Sequence, residues 1–304
     1  MSSCLICLRD VADGGPYHPH CSVALFGTPV APAVDVELAK LHTLALAMVG
    51  HTSLSGIQRK ISLRLDADRN TLQLAVAGGR YILKPQAQTF PSLPENEHVT
   101  MNLARLVGLT VPACGLVTLK DGSLAYLVKR FDRSDAAKLR QEDFCQLAGK
   151  PPKDKYEGSA ELCMRLVARF ASEPGIERFK LFRLFMFVWW TGNGDMHLKN
   201  FSLLATGSLQ ALSPVYDLLC TRLVIPDDTL ALSVAGKKDK LTSRSWKELA
   251  AYASITERAR ERVVRDFHAA ESAAIDLVER SFLPAEMKKH YARLLRARTR
   301  SLGA

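Results

Sequence analysis

The chain has 304 residues, of which 47% are hydrophobic, so it can bury a large core and divide into two globular lobes. Its 41 basic and 31 acidic residues give a net charge of +10, which favours contact with nucleotides, nucleic acid or acidic protein surfaces without choosing among them. No run of 18 apolar residues occurs, and the start Met-Ser-Ser-Cys does not resemble a secretory signal, so we expect a cytoplasmic protein that contacts no membrane.

Residues 1–27 form a cysteine-rich segment. Four potential metal ligands lie in it as two pairs separated by ten residues: Cys4 with Cys7, and His18 with Cys21. This spacing suits a tetrahedral structural Zn²⁺ site, with free thiols as the alternative. His20 could replace His18, although the interval to Cys21 favours His18. Because so short a segment cannot bury a core, we expect a metal to supply most of its folding energy.

Residues 28–135 are predicted to form a small β-rich lobe. TPVAPA at 28–33 indicates a linker, and DVELAKLHTLALAMV indicates a helix. Alternating apolar residues predict strands, and a further helical pattern is expected to end at Gly108. The strand segments are ISLRL, TLQLAV, RYILK, VPACGLVTLK and SLAYLVKRF, and the helical segment is ENEHVTMNLARLVGL. These patterns predict a small antiparallel sheet with one closely associated helix.

Residues 136–304 are predicted to form a lobe that is almost wholly helical from about Gln141 onward. LFRLFMFVWW at 181–190 is too short to span a bilayer and contains Arg183, which favours a buried helix. The last helix carries six basic residues: Lys288, Lys289, Arg293, Arg296, Arg298 and Arg300. They form either a solvated helix face or a surface for an acidic partner or nucleic acid. The fold class is therefore α+β, with a β-rich lobe before a helical lobe.

Two features of the β-rich lobe would suit binding of a nucleotide phosphate. SLSGIQRK could turn backbone N–H groups around Gly56 toward a phosphate, with Lys60 adding charge, although taken alone it could be an ordinary turn. Lys84 ends the strand YILK, and Glu97 begins the next helix. An acidic side chain there could position the lysine over phosphates, or the two could form a surface ion pair.

The segment NGDMHLKNF contains Asp195 and Asn200 at the interval by which protein kinases pair a catalytic Asp with a metal-binding Asn. Asp195 would accept or orient a substrate hydroxyl proton, and Asn200 would bind Mg²⁺. His197 would shape the loop or contact phosphate. Seventeen residues after Asn200, Asp217 in SPVYDLL would supply the second metal ligand. The alternative is a simple turn at Gly194 and Asp195, followed by a cap at Asn200.

Eight segments, in this order, resemble HipA-type toxin kinases: SLSGIQRK, YILK, ENEHVTMNLA, YLVKRFDR, QEDFCQ, KYE, NGDMHLKNF and SPVYDLL. The similarity extends from about Ser53 to Asp217. It implies a bilobal protein-kinase-like fold with a small β-rich N-lobe, a mainly helical C-lobe, and use of ATP and Mg²⁺. The segment 1–27 would precede this fold as a zinc-binding addition.

The resemblance also implies a role for individual residues. Those implied to contact the nucleotide are Ser53, Ser55, Gly56 and Lys60 in the phosphate loop, Lys84 with Glu97, Lys129 and Phe131 at the adenine hinge, and Gln141 and Asp143 on the helical side. Those implied for chemistry are Asp195, His197 and Lys199, with Asn200 and Asp217 on Mg²⁺. Ser53 and Ser55 would be autophosphorylated. Lys129 departs from the pattern, because HipA has an acidic hinge residue there.

The implied function is a serine/threonine protein kinase toxin that phosphorylates an aminoacyl-tRNA synthetase. Its partners would be a HipB-like DNA-binding antitoxin, with indirect DNA contact, and a small HipS-like protein. The latter follows because only 52 residues precede Ser53, which is similar to the short HipT branch. Two alternatives stay open: a binding module that joins an antitoxin on DNA with little kinase activity, and a small-molecule kinase.

Overall fold

The computed structural model describes residues 2–12, 14–34, 36–39, 59–134 and 137–303. The chain divides into two compact units, which are considered separately. The first unit comprises Met1–Asn102, Pro112–Arg130 and Leu277–Pro284, and the second comprises Leu103–Val111, Phe131–Asp276 and Ala285–Ala304. The first unit is rich in strands and the second in helices, which confirms the predicted α+β class.

The described strands all pair antiparallel. They are β1 (Ser2–Ser3), β2 (Asp10–Val11), β3 (Ile61–Asp66), β4 (Thr71–Leu74), β5 (Tyr81–Pro85), β6 (Cys114–Thr118), β7 (Leu124–Lys129), β8 (Gln141–Asp143), β9 (Ser202–Thr206) and β10 (Leu209–Leu212). The described α-helices are α1 (Pro19–Phe26), α2 (Leu93–Leu106), α3 (Phe144–Leu147), α4 (Ala160–Phe170), α5 (Pro174–Trp190), α6 (Ser243–Tyr252), α7 (Glu257–Arg280) and α8 (Ala285–Ser301). Short 3₁₀ turns cover Pro152–Asp154, Leu198–Asn200 and Thr221–Leu223.

A five-stranded sheet in the order β4-β3-β5-β7-β6 forms the centre of the first unit. Its strands coincide with the five predicted ones, because alternating residues such as Ile61, Leu63 and Leu83 point into the core. The turn between β3 and β4 contains Asn70 at φ 47°, a left-handed conformation that Asn tolerates. The predicted helix over DVELAKLHTLALAMV lies mostly outside the described residues.

The cysteine-rich segment packs on this sheet. It consists of the β1–β2 hairpin and helix α1, whose Leu25 and Phe26 are buried in the same hydrophobic cluster as Leu83 and Leu127 of the sheet. Each such buried side chain stabilises the fold by about 1.5–3 kcal/mol. The expectation that this segment has no core of its own is therefore incomplete, because it shares the core of the sheet.

Helix α2 is buried on its polar side as well as its apolar side. Its buried polar residues are Asn96, Glu97, His98, Thr100 and Asn102. The helix ends at Leu106, close to the predicted end at Gly108, which has φ 77°. An amphipathic helix of the predicted kind would expose its polar face, so burial here requires polar partners for these side chains.

The second unit contains a three-stranded sheet in the order β10-β9-β8 that the predicted helical pattern does not include. Strand β8 is only Gln141–Asp143 and has no apolar alternation, and it pairs with Ser202–Leu204 far along the chain. A strand this short, paired with a distant segment, shows no hydrophobic periodicity from which it could be predicted. The sheet matters for the site, because Asn200 precedes β9 and Asp143 ends β8.

Helix α5 is the buried helix that was predicted around LFRLFMFVWW. Its residues from Leu184 to Trp190 are all buried, and Arg183 donates to Asp266 at 2.6 Å and to the carbonyl of Val107 at 2.8 Å. The charge of Arg183 is therefore paired within the second unit. Among the described helices, none is both long and apolar enough to cross a membrane.

Helix α8 does not present all of its basic residues to solvent. Arg298 donates to the carbonyl of Trp189 at 2.8 Å, and its guanidinium carbon lies 4.6 Å from the centre of that indole. Arg293, Arg296 and Arg300 are exposed. The exposed basic face is therefore smaller than the sequence indicates.

Candidate functional site

The loop at residues 193–200 is fixed by hydrogen bonds within the loop and by one to Thr221. The buried Asn193 accepts the backbone N–H of Asp195 on Oδ1 at 2.9 Å. Asn200 donates from Nδ2 to the carbonyl of Asp195, also at 2.9 Å. The backbone N–H of Gly194 donates to Thr221 Oγ1 at 2.8 Å. These bonds hold Asp195 and Asn200 next to each other, and their roles in catalysis and metal binding stay predictions.

The carboxylate of Asp195 accepts a hydrogen bond from the hydroxyl of Tyr156 on Oδ1 at 2.6 Å. Burial raises the pKa of Asp195 above its ordinary value, and the carboxylates of Asp217 and Asp228 act in the same direction. The Tyr156 hydrogen bond and the charge of Lys155 oppose that rise in pKa. A raised pKa makes the carboxylate a better proton acceptor.

Sequence reasoning missed Tyr156, Lys155 and Asp228. Tyr156 lies 39 residues before Asp195, so only the fold brings its hydroxyl to that carboxylate. The one signal was the segment KYE, which contributes to the family resemblance without indicating a role. Asp228 accepts a hydrogen bond from the hydroxyl of Thr221. The same hydroxyl oxygen accepts the backbone N–H of Gly194.

His197 is neutral and enclosed. Its ring packs edge-on against Tyr156 with the centroids 5.0 Å apart. Burial lowers the pKa of His197 to about 4, and the charge of Lys155 adds to this effect. Within the part of the chain that the structure describes, neither buried ring nitrogen has a hydrogen-bond partner. The side chain is buried within the loop, and its predicted contact with a phosphate stays a prediction.

Asn200 and Asp217 offer oxygen atoms of the type that Mg²⁺ prefers. Because Asn200 uses Nδ2 on the Asp195 carbonyl, its Oδ1 is the atom left for a cation. Asp217 has φ 55°, a left-handed backbone that is uncommon for a residue other than glycine. Its charge acts on the pKa values of both Asp195 and His197. This donor set fits a magnesium ion.

Lys199 and Asp143, which were predicted separately, form an ion pair at 2.7 Å. Asp143 also caps helix α3, where its Oδ1 accepts the backbone N–H of Gln146 at 2.9 Å. The side chain of Gln146 in turn accepts the backbone N–H of Asp143, which completes a capping box. The cap fixes the carboxylate that pairs with Lys199.

Gln141 and Phe131 belong to a cluster around Tyr216. Gln141 donates to Ser202 Oγ at 3.0 Å, and Ser202 is hydrogen bonded to the hydroxyl of Tyr216. That hydroxyl donates to the carbonyl of Lys199 at 3.0 Å, and the ring of Phe131 lies 5.7 Å from that of Tyr216. The cluster connects β8 and β9 to the end of the 193–200 loop.

In the first unit, Lys84 and Glu97 form an ion pair at 2.5 Å. Their side chains are 5% and 2% exposed, so the alternative of a surface ion pair is wrong. Breaking a buried pair by removing one partner typically costs about 3–5 kcal/mol, because a buried charge is left uncompensated.

The other predicted nucleotide contacts have less structural definition. Ser53, Ser55 and Gly56 lie outside the described residues. Lys60 is exposed just before β3, and Lys129 ends β7 opposite Tyr81. The nucleotide roles of all five residues stay predictions.

The four predicted zinc ligands come together in the first unit. The ligand atoms of Cys4, Cys7, His18 and Cys21 all lie within 4.8 Å of one another. His18 Nδ1 lies 3.4 Å from Cys7 Sγ and 3.9 Å from Cys21 Sγ. His20 stacks on His18 with ring centroids 5.2 Å apart and is not part of the cluster. The set is a possible metal site with four ligands.

The fold and the 193–200 loop define a protein-kinase-like architecture. Structure comparison finds the HipA chain of the Shewanella oneidensis MR-1 complex of HipA, HipB and operator DNA, with a TM-score of 0.72 and 19% identity over 95% of this chain and 79% of that chain. It also finds the Helicobacter pylori proinflammatory kinase CtkA, with a TM-score of 0.58 and 14% identity over 89% of this chain and 95% of that chain. At these identities the likeness concerns the fold.

The model of the HipA-like C-terminal domain matches residues 52–274, and the chain belongs to this family. A Sinorhizobium fredii protein named "Putative kinase Y4dM" is 35% identical over 229 residues, which are 70% of this chain and 55% of that protein. The serine/threonine-protein kinase toxin HipA of Shewanella oneidensis is 27% identical over 187 residues, or 55% of this chain and 42% of that protein. The chain spans about half the length of the curated relatives it matches.

We predict that Gly194→Ala disrupts the loop. An added Cβ would lie 2.0 Å from Asp228 Oδ2 and 2.5 Å from the carbonyl oxygen of Thr229, and the latter cannot rotate away. The expected loss in the free energy of unfolding, measured by urea denaturation, is about 1–3 kcal/mol. Gly175→Ala is the matched control, because its Cβ meets open space, and it should change stability by less than about 1 kcal/mol. Equal stability of both variants would contradict the packing argument.

We also predict that His197 makes folding pH-dependent. Above its ordinary pKa of 6.5 the imidazole is neutral in both the folded and the unfolded chain, so its protonation does not reduce the free energy of unfolding. As the pH falls from 6.5 toward about 4, the unfolded chain takes up a proton that the folded chain does not, and stability falls. Between pH 7 and pH 5 this amounts to about 2 kcal/mol.

The measurement is urea unfolding of the wild type, His197→Gln and the exposed-site control His290→Gln at both pH values. His197→Gln should lose less stability on acidification than the other two proteins. The same loss in all three would show that His197 does not carry this dependence.

Proposed function

We propose that the chain is an ATP- and Mg²⁺-dependent serine/threonine protein kinase. The observation that carries this proposal is the hydrogen bond from Asn200 Nδ2 to the Asp195 carbonyl, which ties a basic carboxylate and an amide oxygen to one short loop. Membership of the HipA-like C-terminal domain family supports the same conclusion. The buried Lys84–Glu97 pair favours an enzyme over a module that only binds an antitoxin, since a buried charge pair is costly to keep without use.

Asp195 would act as the proton acceptor. The oxygen of a substrate serine or threonine forms a bond to the γ-phosphorus of ATP while the bond to the β–γ bridging oxygen breaks. The hydroxyl proton passes to Asp195, and the electron pair of the broken bond leaves with ADP. Because Oδ1 of Asp195 accepts from Tyr156, Oδ2 is the atom proposed to receive the proton.

Magnesium, when bound, would neutralise charge that develops on the phosphates, and Asn200 Oδ1 and the Asp217 carboxylate would be its protein ligands. In the first unit, Lys84 would contact ATP phosphates and Glu97 would orient it. His197 is proposed to shape the loop or to contact a phosphate, and among the described residues its two buried ring nitrogens have no hydrogen-bond partner. Lys199, oriented by Asp143, would assist transfer.

The partners and substrate are proposed by similarity. The related structure contains HipB and operator DNA, which supports a HipB-like antitoxin and an indirect association with DNA for this chain. A small HipS-like partner and an aminoacyl-tRNA synthetase substrate are proposed from the resemblance to the HipT branch. Cytoplasmic location would follow from such partners. Zn²⁺ is proposed as the ion of the four-ligand cluster.

We predict that Asp195→Asn lowers phosphate transfer from labelled ATP to protein by roughly 10²–10⁴-fold, the range for loss of a general base. The amide keeps an acceptor for Tyr156 and removes a buried charge, so the free energy of unfolding should not fall. Asp227→Asn, at a carboxylate that is 97% exposed, is the control and should transfer normally. Full transfer by folded Asp195→Asn would contradict the assignment.

A further prediction concerns Ser53 and Ser55, which lie outside the described residues. We expect the wild type, and not Asp195→Asn, to gain phosphate on one of them during incubation with Mg²⁺ and ATP. A phosphoserine adds about 1.5–2 negative charges and would repel ATP phosphates. Ser53→Asp or Ser55→Asp should therefore bind ATP more weakly in calorimetry, with the matching Ala variants as controls.

Peptide mass spectrometry would locate the phosphate. An active wild type with no phosphate on either serine would reject this modification, and unchanged ATP affinity in both Asp variants would reject the switch. Neither result would alter the proposed kinase chemistry at Asp195.

A further inference from the structure

The cysteine cluster has the interatomic distances of a tetrahedral zinc site. With Zn–S of about 2.3 Å and Zn–N of about 2.0–2.1 Å, tetrahedral geometry places sulfur and nitrogen about 3.6 Å apart. The observed separations from His18 Nδ1 are 3.4 Å to Cys7 Sγ and 3.9 Å to Cys21 Sγ. His18 Nε2 lies 3.0 Å from the carbonyl of Asp10. Donation to that carbonyl places the proton on Nε2 and leaves the lone pair of Nδ1 facing the cluster, as metal-binding histidines require.

The turn between Cys4 and Cys7 packs closely against the edge strand β6. The N–H of Leu116 donates to the carbonyl of Leu5 at 2.7 Å, and the hydroxyl of Tyr17 donates to the carbonyl of Leu116 at 2.9 Å. At Gly115 an added Cβ would lie 2.6 Å from the side chain of Ile6, so only glycine permits this approach. The turn between Cys4 and Cys7 therefore lies against the sheet with the Leu5 carbonyl bonded to β6.

The Ile6 carbonyl connects the turn to helix α2. It accepts hydrogen bonds from His98 Nε2 at 2.9 Å and from Asn102 Nδ2 at 3.1 Å. Both donors are buried, and His98 follows Glu97 directly in the helix. The polar face of α2 thus finds partners on the backbone of the cysteine-rich segment. Movement of the Cys4–Cys7 turn would remove two hydrogen bonds next to the residue that pairs with Lys84.

The same segment also contacts the strand that carries Lys84. Tyr81 in β5 donates from its hydroxyl to the carbonyl of Leu25, at the end of helix α1, at 3.2 Å. Its ring lies 6.5 Å from that of Phe26. Cys21 is in the first turn of α1, so one cluster restrains both the helix contacting β5 and the turn contacting α2.

We propose that Zn²⁺ bound by Cys4, Cys7, His18 and Cys21 positions the buried Lys84–Glu97 ion pair. It would do so through two contacts: the Ile6 carbonyl accepts hydrogen bonds from helix α2, and the Leu25 carbonyl accepts one from Tyr81 of β5. His98 and Asn102 are positioning residues in this arrangement. Four protein ligands complete the coordination, so the metal has a structural role and takes no part in the transfer itself. The consequence for activity rests on the proposed kinase function, whereas the consequence for helix α2 does not.

The test measures zinc content and amide hydrogen exchange in the purified full chain. The wild type should contain about one zinc per chain, and Cys7→Ser much less. Zinc removal by a chelator, or Cys7→Ser, should raise exchange at residues 93–102 about 10- to 100-fold, the effect expected for loss of the two hydrogen bonds to the Ile6 carbonyl. Cys163→Ala removes a buried thiol from α4 outside the cluster and is the control, with zinc and exchange at 93–102 unchanged.

Asn102→Ala separates the metal from the contact. It should retain zinc, show faster exchange at 93–102 by a smaller factor because the His98 bond remains, and raise the KM for ATP several-fold, because Glu97 is less well positioned. Absence of zinc from the wild type, or unchanged exchange at 93–102 after zinc removal, would overturn the proposal. If exchange responds as expected and no protein transfers phosphate, the proposed kinase function fails and the positioning role of the metal stands. If Cys7→Ser does not fold, chelation of the wild type gives the same comparison.

Discussion

The hydrogen bond from Asn200 to the carbonyl of Asp195 is the interaction on which the site depends. It closes the 193–200 loop, leaves Oδ1 of Asn200 for a cation, and is enclosed because Asn200 is buried and Phe201 stacks on Phe185 of helix α5. Removing the amide would leave a partly buried carbonyl unsatisfied, at a cost of about 1–3 kcal/mol. Helix α5, strand β9 and the Tyr216 cluster pack around the end of this loop and exclude water from it.

The sequence predicted those features whose signal is local. The strands of the first unit are visible in the sequence as alternating apolar residues. Asp195 and Asn200 are only five residues apart, so their spacing can be read directly from the sequence. The sheet of β8, β9 and β10 and the contact of Tyr156 with Asp195 could not be predicted, because both join distant segments with no repeated pattern. Burial of the polar face of α2 could not be predicted for the same reason, since His98 and Asn102 bond to the carbonyl of Ile6, which is more than 90 residues away in the sequence.

The buried ion pair of the first unit is stable only if the two elements that carry it are held in place. Lys84 and Glu97 lose hydration, and their attraction compensates only if both side chains stay in register. Strand β5 and helix α2 are separate elements, so something must restrain each of them. The cysteine-rich segment contacts both, through Tyr81 and through His98 with Asn102. The segment also shares the hydrophobic core of the sheet, which holds these contacts in place.

Calorimetric titration of the full chain with ATP, with and without Mg²⁺, tests the central claim most directly. The account predicts saturation at about one ATP per chain, dependence on the metal, and loss of that dependence in Asn200→Leu, which keeps the branched side-chain shape and removes both the Oδ1 ligand and the Nδ2 donor to the Asp195 carbonyl. ATP binding that is equally strong without Mg²⁺, or undiminished in folded Asn200→Leu, would contradict the assignment of Asn200 and Asp217 as metal ligands and with it the proposed chemistry at Asp195.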